Sequence, residues 1–231
     1  SSLLALAQWI GAQTGASVGY LTEAANTVGA QFVGALPRQG GQNAGQMLSG
    51  GLKAALLLNT EPVYDSAAGE GAAAALSQAD MVVTLSPFKA NMAFSDVLLP
   101  IAPFSETSGT FVNAEGRVQS FHAVVKPLGD ARPAWKVLRV LGNLLGLQGM
   151  DFESSQDVLA KATGATVGAP LAQIPAERLS NATNAAVTLG SGTVAAPVVA
   201  SIYQLDSLVR RATSLQLTAD ARLAAAEGVA A

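Results

Sequence analysis

Along the first 150 residues the apolar positions switch between helical and strand periods. Leu3, Leu4, Ala7 and Ile10 recur at helical spacing, and Gly11 and Gly15 then let the chain turn. Residues 17–21 read as a short strand, and the Gly-, Asn- and Gln-rich stretch from 26 to 45 reads as loop. Residues 54–58 form a compact apolar run ending in Asn59-Thr60-Glu61-Pro62, the pattern of a buried parallel strand that stops at a loop. Residues 70–79 are alanine-rich and helical, and 81–85 form the next buried strand, closed by Ser86-Pro87. Strand, helix and strand at this spacing make a βαβ unit. The expected fold class is therefore α/β, a mostly parallel sheet covered by helices.

Residues 97–100 are a further short strand. Two more flank Asn113-Ala114-Glu115-Gly116, a turn whose Asn and Gly tolerate positive φ. Pro133 opens a helix running to about Leu147, with Gly149 near its end. Lys136, Arg139 and Asn143 form its one polar stripe, so the helix is expected to be buried on most sides. Beyond Met150 the composition shifts to Ala, Thr, Gly, Val and Pro with few charges, which predicts an irregular extension over 160–200. Amphipathic spacing returns at Leu205, Leu208, Val209 and Ala212 and predicts a short helix at about 203–212. The expected organisation is an α/β domain over 1–149 and an extension, irregular and helical, over 150–231.

Composition narrows the function classes. The 231 residues include no cysteine and a single histidine, His122. Disulfides, thiolate zinc sites, cysteine-held iron–sulfur clusters and multi-histidine metal centres are thereby excluded within these residues. A net charge of −3 lacks the basic face that nucleic acid requires. Only 13% of residues are charged, against the ~25% usual for soluble domains. Even so, the longest apolar runs fall well short of the ~20 residues of a membrane span, so no direct membrane insertion is expected. The chain begins Ser1-Ser2 without Met or a basic n-region, so it is read as processed or excised and not as carrying a secretory leader.

Several motif matches fail on context. Gly15-Ala16-Ser17-Val18-Gly19 has nucleophile-elbow spacing, but Ser17 opens the expected strand instead of following one. Gly69-Glu70-Gly71-Ala72-Ala73-Ala74 resembles a dinucleotide fingerprint, yet it begins about ten residues after its strand and no acid follows at the required distance. The sequon Asn181-Ala182-Thr183 has no secretory context. His122 has no companion ligand and reads as a packed or hydrogen-bonded residue. Arg210 and Arg211 fit either an anchoring pair for a partner's carboxylates or a solvated surface pair. The segment 106–119 stands out: two glycines permit close backbone approach, Thr110 and Asn113 bring hydroxyl and amide groups, and Arg117 lies beside Glu115. Such a loop can grip a phosphate-bearing ligand, or it can be a structural hairpin with Glu115 or Glu106 neutralising Arg117.

The ordered segments 79–88, 95–100 and 106–119 resemble the molybdopterin oxidoreductase superfamily, through a strand, an Asp96-Val97-Leu98-Leu99-Pro100 segment and Glu106 followed by Gly109-Thr110-Phe111, Asn113, Glu115-Gly116-Arg117 and Gln119. Two further stretches, 126–138 and 202–222 with Leu208-Val209-Arg210-Arg211-Ala212, resemble the large iron–sulfur subunit of bacterial NADH–quinone oxidoreductase, respiratory complex I. The resemblance implies the C-terminal portion of that subunit, with a partial molybdopterin-oxidoreductase-like fold that has lost the pterin. It implies a non-redox scaffold supporting electron transfer from NADH to quinone. [2Fe–2S] and [4Fe–4S] clusters are then expected upstream, and no metal or cofactor here. Expected partners are the remainder of its own subunit and other peripheral-arm subunits, on the cytoplasmic side of the bacterial inner membrane. No catalytic residue is expected in the chain. In cofactor-binding relatives the loops equivalent to 59–62 and 110–117 lie near the pterin nucleotide, so Thr110, Asn113 and Arg117 are the residues of a vestigial site. The alternative is a fragment of a catalytic molybdopterin-dependent oxidoreductase, with Asn113 and Arg117 on the cofactor's phosphates. Against it stand the missing cysteine and the absence of room after Leu147 for a pterin-binding β-barrel.

Overall fold

A computed structural model describes residues 2–22, 24–168, 173–175, 180–183, 186–187 and 201–226. The chain forms two compact units, each assembled from three segments.

The unit made of Pro37–Glu106, Val125–Leu138 and Ala195–Ala231 holds the parallel sheet. Its strands β1 (Ala54–Leu58), β2 (Met81–Ser86) and β3 (Val97–Pro100) lie in the order β1-β2-β3, all parallel. Leu56 pairs with Val83, and Leu85 with Leu99, so all three strands point their carboxyl ends the same way. Between β1 and β2 the chain crosses over through two short helices, Pro62–Asp65 and Glu70–Leu76. The second lays Ala72 and Leu76 inward. Leu76, Val82 and Phe94 form a core cluster, joined by Ala55 and Leu57 from β1. The expected α/β class and all three strands are present.

β1 differs from expectation. Its burial alternates, and Leu56 and Leu58 are 52% and 45% exposed, because helices cover only the face that carries Ala55 and Leu57. A strand with one covered face looks identical in sequence to one with two when both faces are apolar. The polar Thr84 at the centre of β2 is fully buried and satisfied by Ser95 Oγ at 2.8 Å.

The other unit comprises Ser1–Leu36, Thr107–Val124 and Arg139–Val194. It contains helices Ser2–Thr14 and Thr27–Phe32, the antiparallel hairpin β4 (Gly109–Val112) and β5 (Val118–Phe121), and helix Ser155–Thr163. Gly109 is required where it stands, since a Cβ there would lie 2.4 Å from the Phe121 ring. Phe121 meets Phe111 edge-on, with centroids 5.5 Å apart.

Residues 17–21 form no strand, and the expected loop over 26–45 includes the helix Thr27–Phe32 and the start of Ala44–Met47, the latter closed by an Asn43–Gln46 capping box. The helix expected from Pro133 spans Ala134–Leu144, and the division between the two units falls inside it. It ends because Gly146 takes φ 73° and the Leu147 N–H turns back to the Gly142 carbonyl. Contrary to expectation it is not buried on most sides: Val140 and Leu144 are 49% and 80% exposed. Nor do residues 203–212 form an amphipathic helix. They make turns and a single 3-10 turn at Val209–Arg211, because the 203–209 stretch is braced by side-chain bonds to its own backbone. Most of the extension expected over 160–200 lies outside the described residues.

Candidate functional site

The vestigial-site residues Thr110, Asn113 and Arg117 fall on one hairpin, as their spacing suggests, but the Thr110 hydroxyl and the Asn113 side-chain oxygen serve the hairpin itself. Thr110 Oγ1 lies 2.9 Å from Ser120 Oγ, its direct cross-strand partner. The Asn113 carboxamide oxygen accepts the Arg117 N–H at 2.9 Å and the Glu115 N–H at 3.1 Å, which closes the turn between β4 and β5. The Asn113 N–H in turn donates to the Arg117 carbonyl. Of the three residues Arg117 alone offers an uncommitted charge, and it is exposed. Glu115 does not neutralise it: the ion pairs found among the described residues gather elsewhere, on Glu61 and Asp65.

Those pairs sit at the carboxyl edge of the parallel sheet, in the other unit. β1 ends at Leu58, and Asn59 then takes φ 49° while its N–H donates to the Leu85 carbonyl at 2.8 Å. This left-handed residue, of a type that tolerates such φ, turns the chain so that Glu61 lies inside. Glu61 is 3% exposed. Its Oε2 accepts from Arg210 Nε at 3.0 Å, and its Oε1 stands 2.9 Å from Arg211 Nη1. The Arg210 side chain, 5% exposed, also binds Asp65 Oδ1 at 2.9 Å. Asp65 holds the turn with its other oxygen, which accepts the Glu61 N–H at 2.7 Å. Arg210 lies over the Tyr64 ring at 4.8 Å and Arg211 over Phe88 at 4.0 Å, so both guanidiniums are paired and stacked. Asn91, itself buried, donates to the Thr60 carbonyl at 2.9 Å.

Of the two readings open for Arg210 and Arg211, an anchoring pair for a partner's carboxylates or a solvated surface pair, neither holds as it stands: the pair is anchored, but its carboxylates belong to this chain, with Glu61 149 residues before Arg210. Glu61 was passed over because its signal is positional: the residue that follows the end of a parallel strand points to the edge where such sheets place their chemistry. His122 is exposed just after β5, and no group of His, Asp and Glu among the described residues could hold a metal. Gly69 opens the helix Glu70–Leu76 with φ 52°, as a turn residue. Ser17 lies in irregular chain after Gly15.

A pterin nucleotide would need free donors for its phosphates. At the hairpin the Thr110 hydroxyl is committed and the Arg117 guanidinium stays exposed, while at the sheet edge two carboxylates already hold both arginines. The sheet edge therefore does not fit that group, and of the three hairpin residues Arg117 is the one charged donor a phosphate could meet.

Comparison with known proteins bears on the same region. Residues 1–144 match the family described as Molybdopterin oxidoreductase. The Bacillus subtilis (strain 168) protein YjgC, described as an oxidoreductase, is 33% identical over 132 residues, which cover 55% of this chain and 13% of that protein. A protein of Staphylococcus aureus (strain bovine RF122 / ET3-1) described as a formate dehydrogenase is 40% identical over 74 residues, covering 32% of this chain and 8% of its own length. The chain thus spans only a small part of the curated relatives it matches.

Proposed function

The chain belongs to the molybdopterin oxidoreductase family, and from that premise we propose that it is a non-redox scaffold, the C-terminal portion of the large iron–sulfur subunit of NADH–quinone oxidoreductase. The observation that carries the scaffold reading is the hairpin, whose Thr110 hydroxyl and Asn113 side-chain oxygen are spent inside it. The complex I part of the reading is supported by the resemblance of residues 126–138 and 202–222. On this reading the clusters that pass electrons from NADH toward quinone lie in the rest of the subunit. This chain holds no metal or pterin, and it supports the cluster-bearing regions and neighbouring peripheral-arm subunits on the cytoplasmic side of the inner membrane.

A second reading, part of a molybdopterin-dependent oxidoreductase, is favoured by the relatives described as formate dehydrogenases. Tagging the native gene product, purifying it under mild detergent and measuring metals and activities separates the two. The scaffold reading expects iron without molybdenum and co-purifying NADH–quinone activity. Stoichiometric molybdenum with pterin fluorescence and formate oxidation would overturn it.

A further inference from the structure

Open parallel sheets receive ligands at the carboxyl ends of their strands, where loops diverge and backbone groups are free. In this chain that position is filled from within. We propose that residues 201–216 are a built-in strap that closes the carboxyl edge of β1 and β2, with Glu61 as its principal anchor. This holds under either reading of the function above, since it concerns only the sheet's own edge.

Three features carry it. First, the strap's two arginines converge on one carboxylate that is itself almost wholly buried, and Arg210 reaches both Glu61 and Asp65. Second, each guanidinium covers an aromatic ring rooted beyond a different strand: Tyr64 follows β1 and Phe88 follows β2, so the strap bridges two adjacent strand ends. Third, the strap is prebuilt. Asp206 Oδ1 accepts the Leu208 and Val209 N–H groups at 2.8 and 3.1 Å. Gln216 Nε2 donates to the Tyr203 and Val209 carbonyls at 3.0 and 2.9 Å, and Gln204 Nε2 donates to Gln216 Oε1 at 3.1 Å. Arg210 Nη1 also donates to the Gln204 carbonyl. A segment braced in this way docks as a unit, so closure and release are coupled through the shared acid. Any ligand or neighbouring chain that approaches this edge must first displace the arginines from Glu61.

Trypsin reports the state of the strap, because it cleaves after Arg210 and Arg211 only where the segment has left the surface. On the intact protein, cleavage rates at these two bonds are compared by mass spectrometry with those at Lys53, just before β1. In Glu61→Gln, cleavage after Arg210 is expected to rise ~10-fold or more, as befits loss of a charge-assisted hydrogen bond, with Lys53 unchanged. Asp65→Asn removes a more exposed partner and is expected to give a smaller rise at the same bonds. No rise at Arg210 in Glu61→Gln, or an equal rise at Lys53, which reports general loosening, would overturn the proposal.

Discussion

Asn113 shows how one side chain settles the character of a loop. Its oxygen takes two backbone N–H groups at the tip of the hairpin, so its worth is to the fold. Asn113→Ala is expected to lower stability by about 1–2 kcal/mol, the cost of leaving turn donors without their acceptor. Asn113→Asp keeps the acceptor and is expected to hold close to the parent. Arg117→Ala, exposed and without an ion-pair partner among the described residues, should fall within about 0.5 kcal/mol. Urea midpoints check all three, and an unchanged Asn113→Ala would argue that the residue is kept for a ligand. At this scale the sequence places Thr110, Asn113 and Arg117 close together and leaves their roles open. The pattern of Thr110, Asn113 and Arg117 is the same whether the polar atoms face a ligand or each other, and only the cross-strand register decides.

Among the elements, the helix Ser155–Thr163 carries the clearest electrostatic signature. Ser154 Oγ accepts the Asp157 N–H, and Asp157 Oδ2 accepts the Ser154 N–H at 2.8 Å, a reciprocal cap. The Ser154 side chain, then the backbone N–H groups of Ser154 and Glu153, hold the Asp157 carboxyl below the usual aspartate value. A carboxyl depressed in the folded state stabilises fully above its unfolded pKa, and that contribution is lost as pH falls through the folded value. Hydrogen exchange across 155–163 is therefore expected to be slow at neutral pH and to quicken relative to the rest of the chain once pH drops below the ordinary aspartate range. In Asp157→Asn that pH step is expected to vanish; a step that persists would assign it to another group. Ser154→Ala should cost about 1 kcal/mol at neutral pH.

The same scale shows which elements patterning can reach. The three parallel strands and the hairpin emerged from apolar runs bounded by turn residues, because those signals are local. The strand expected at 17–21 failed because a short run interrupted by Gly19 has no neighbour to pair with, and pairing is a non-local fact. The helix expected at 203–212 failed for a related reason. Its spacing was compatible with a helix, but Asp206 and Gln216 bond to nearby backbone and hold tighter turns.

For the whole molecule the governing quantity is apolar surface set against few charges. Only 13% of residues are charged, while Leu144, Leu145 and Leu147 stand 80%, 68% and 52% exposed in succession at the end of one helix. Contiguous exposed apolar groups of this kind drive association. The protein is expected to self-associate in a concentration-dependent way, and the pair Leu144→Glu with Leu145→Glu to weaken that association while shifting the melting midpoint little. Sedimentation velocity over a hundredfold concentration range checks both; a monomer throughout would refute the first. None of the described helices is long and apolar enough to cross a membrane, so this surface is not a spanning segment.

The distance along the chain between Glu61 and its arginines has a consequence for how the protein is made. The buried acid is synthesised 149 residues before Arg210. At ribosomal rates of ~5–20 residues per second, that separates the two by about 7–30 s. The strands that bring Glu61 inward are complete long before its counter-charge exists. During that interval the nascent sheet must either keep the carboxylate in water with its carboxyl edge unclosed, or rely on a chaperone to cover it. The segment around Arg210 thus finishes a unit begun well over a hundred residues earlier, and a nascent chain that stops short of Arg210 leaves a sheet that cannot close.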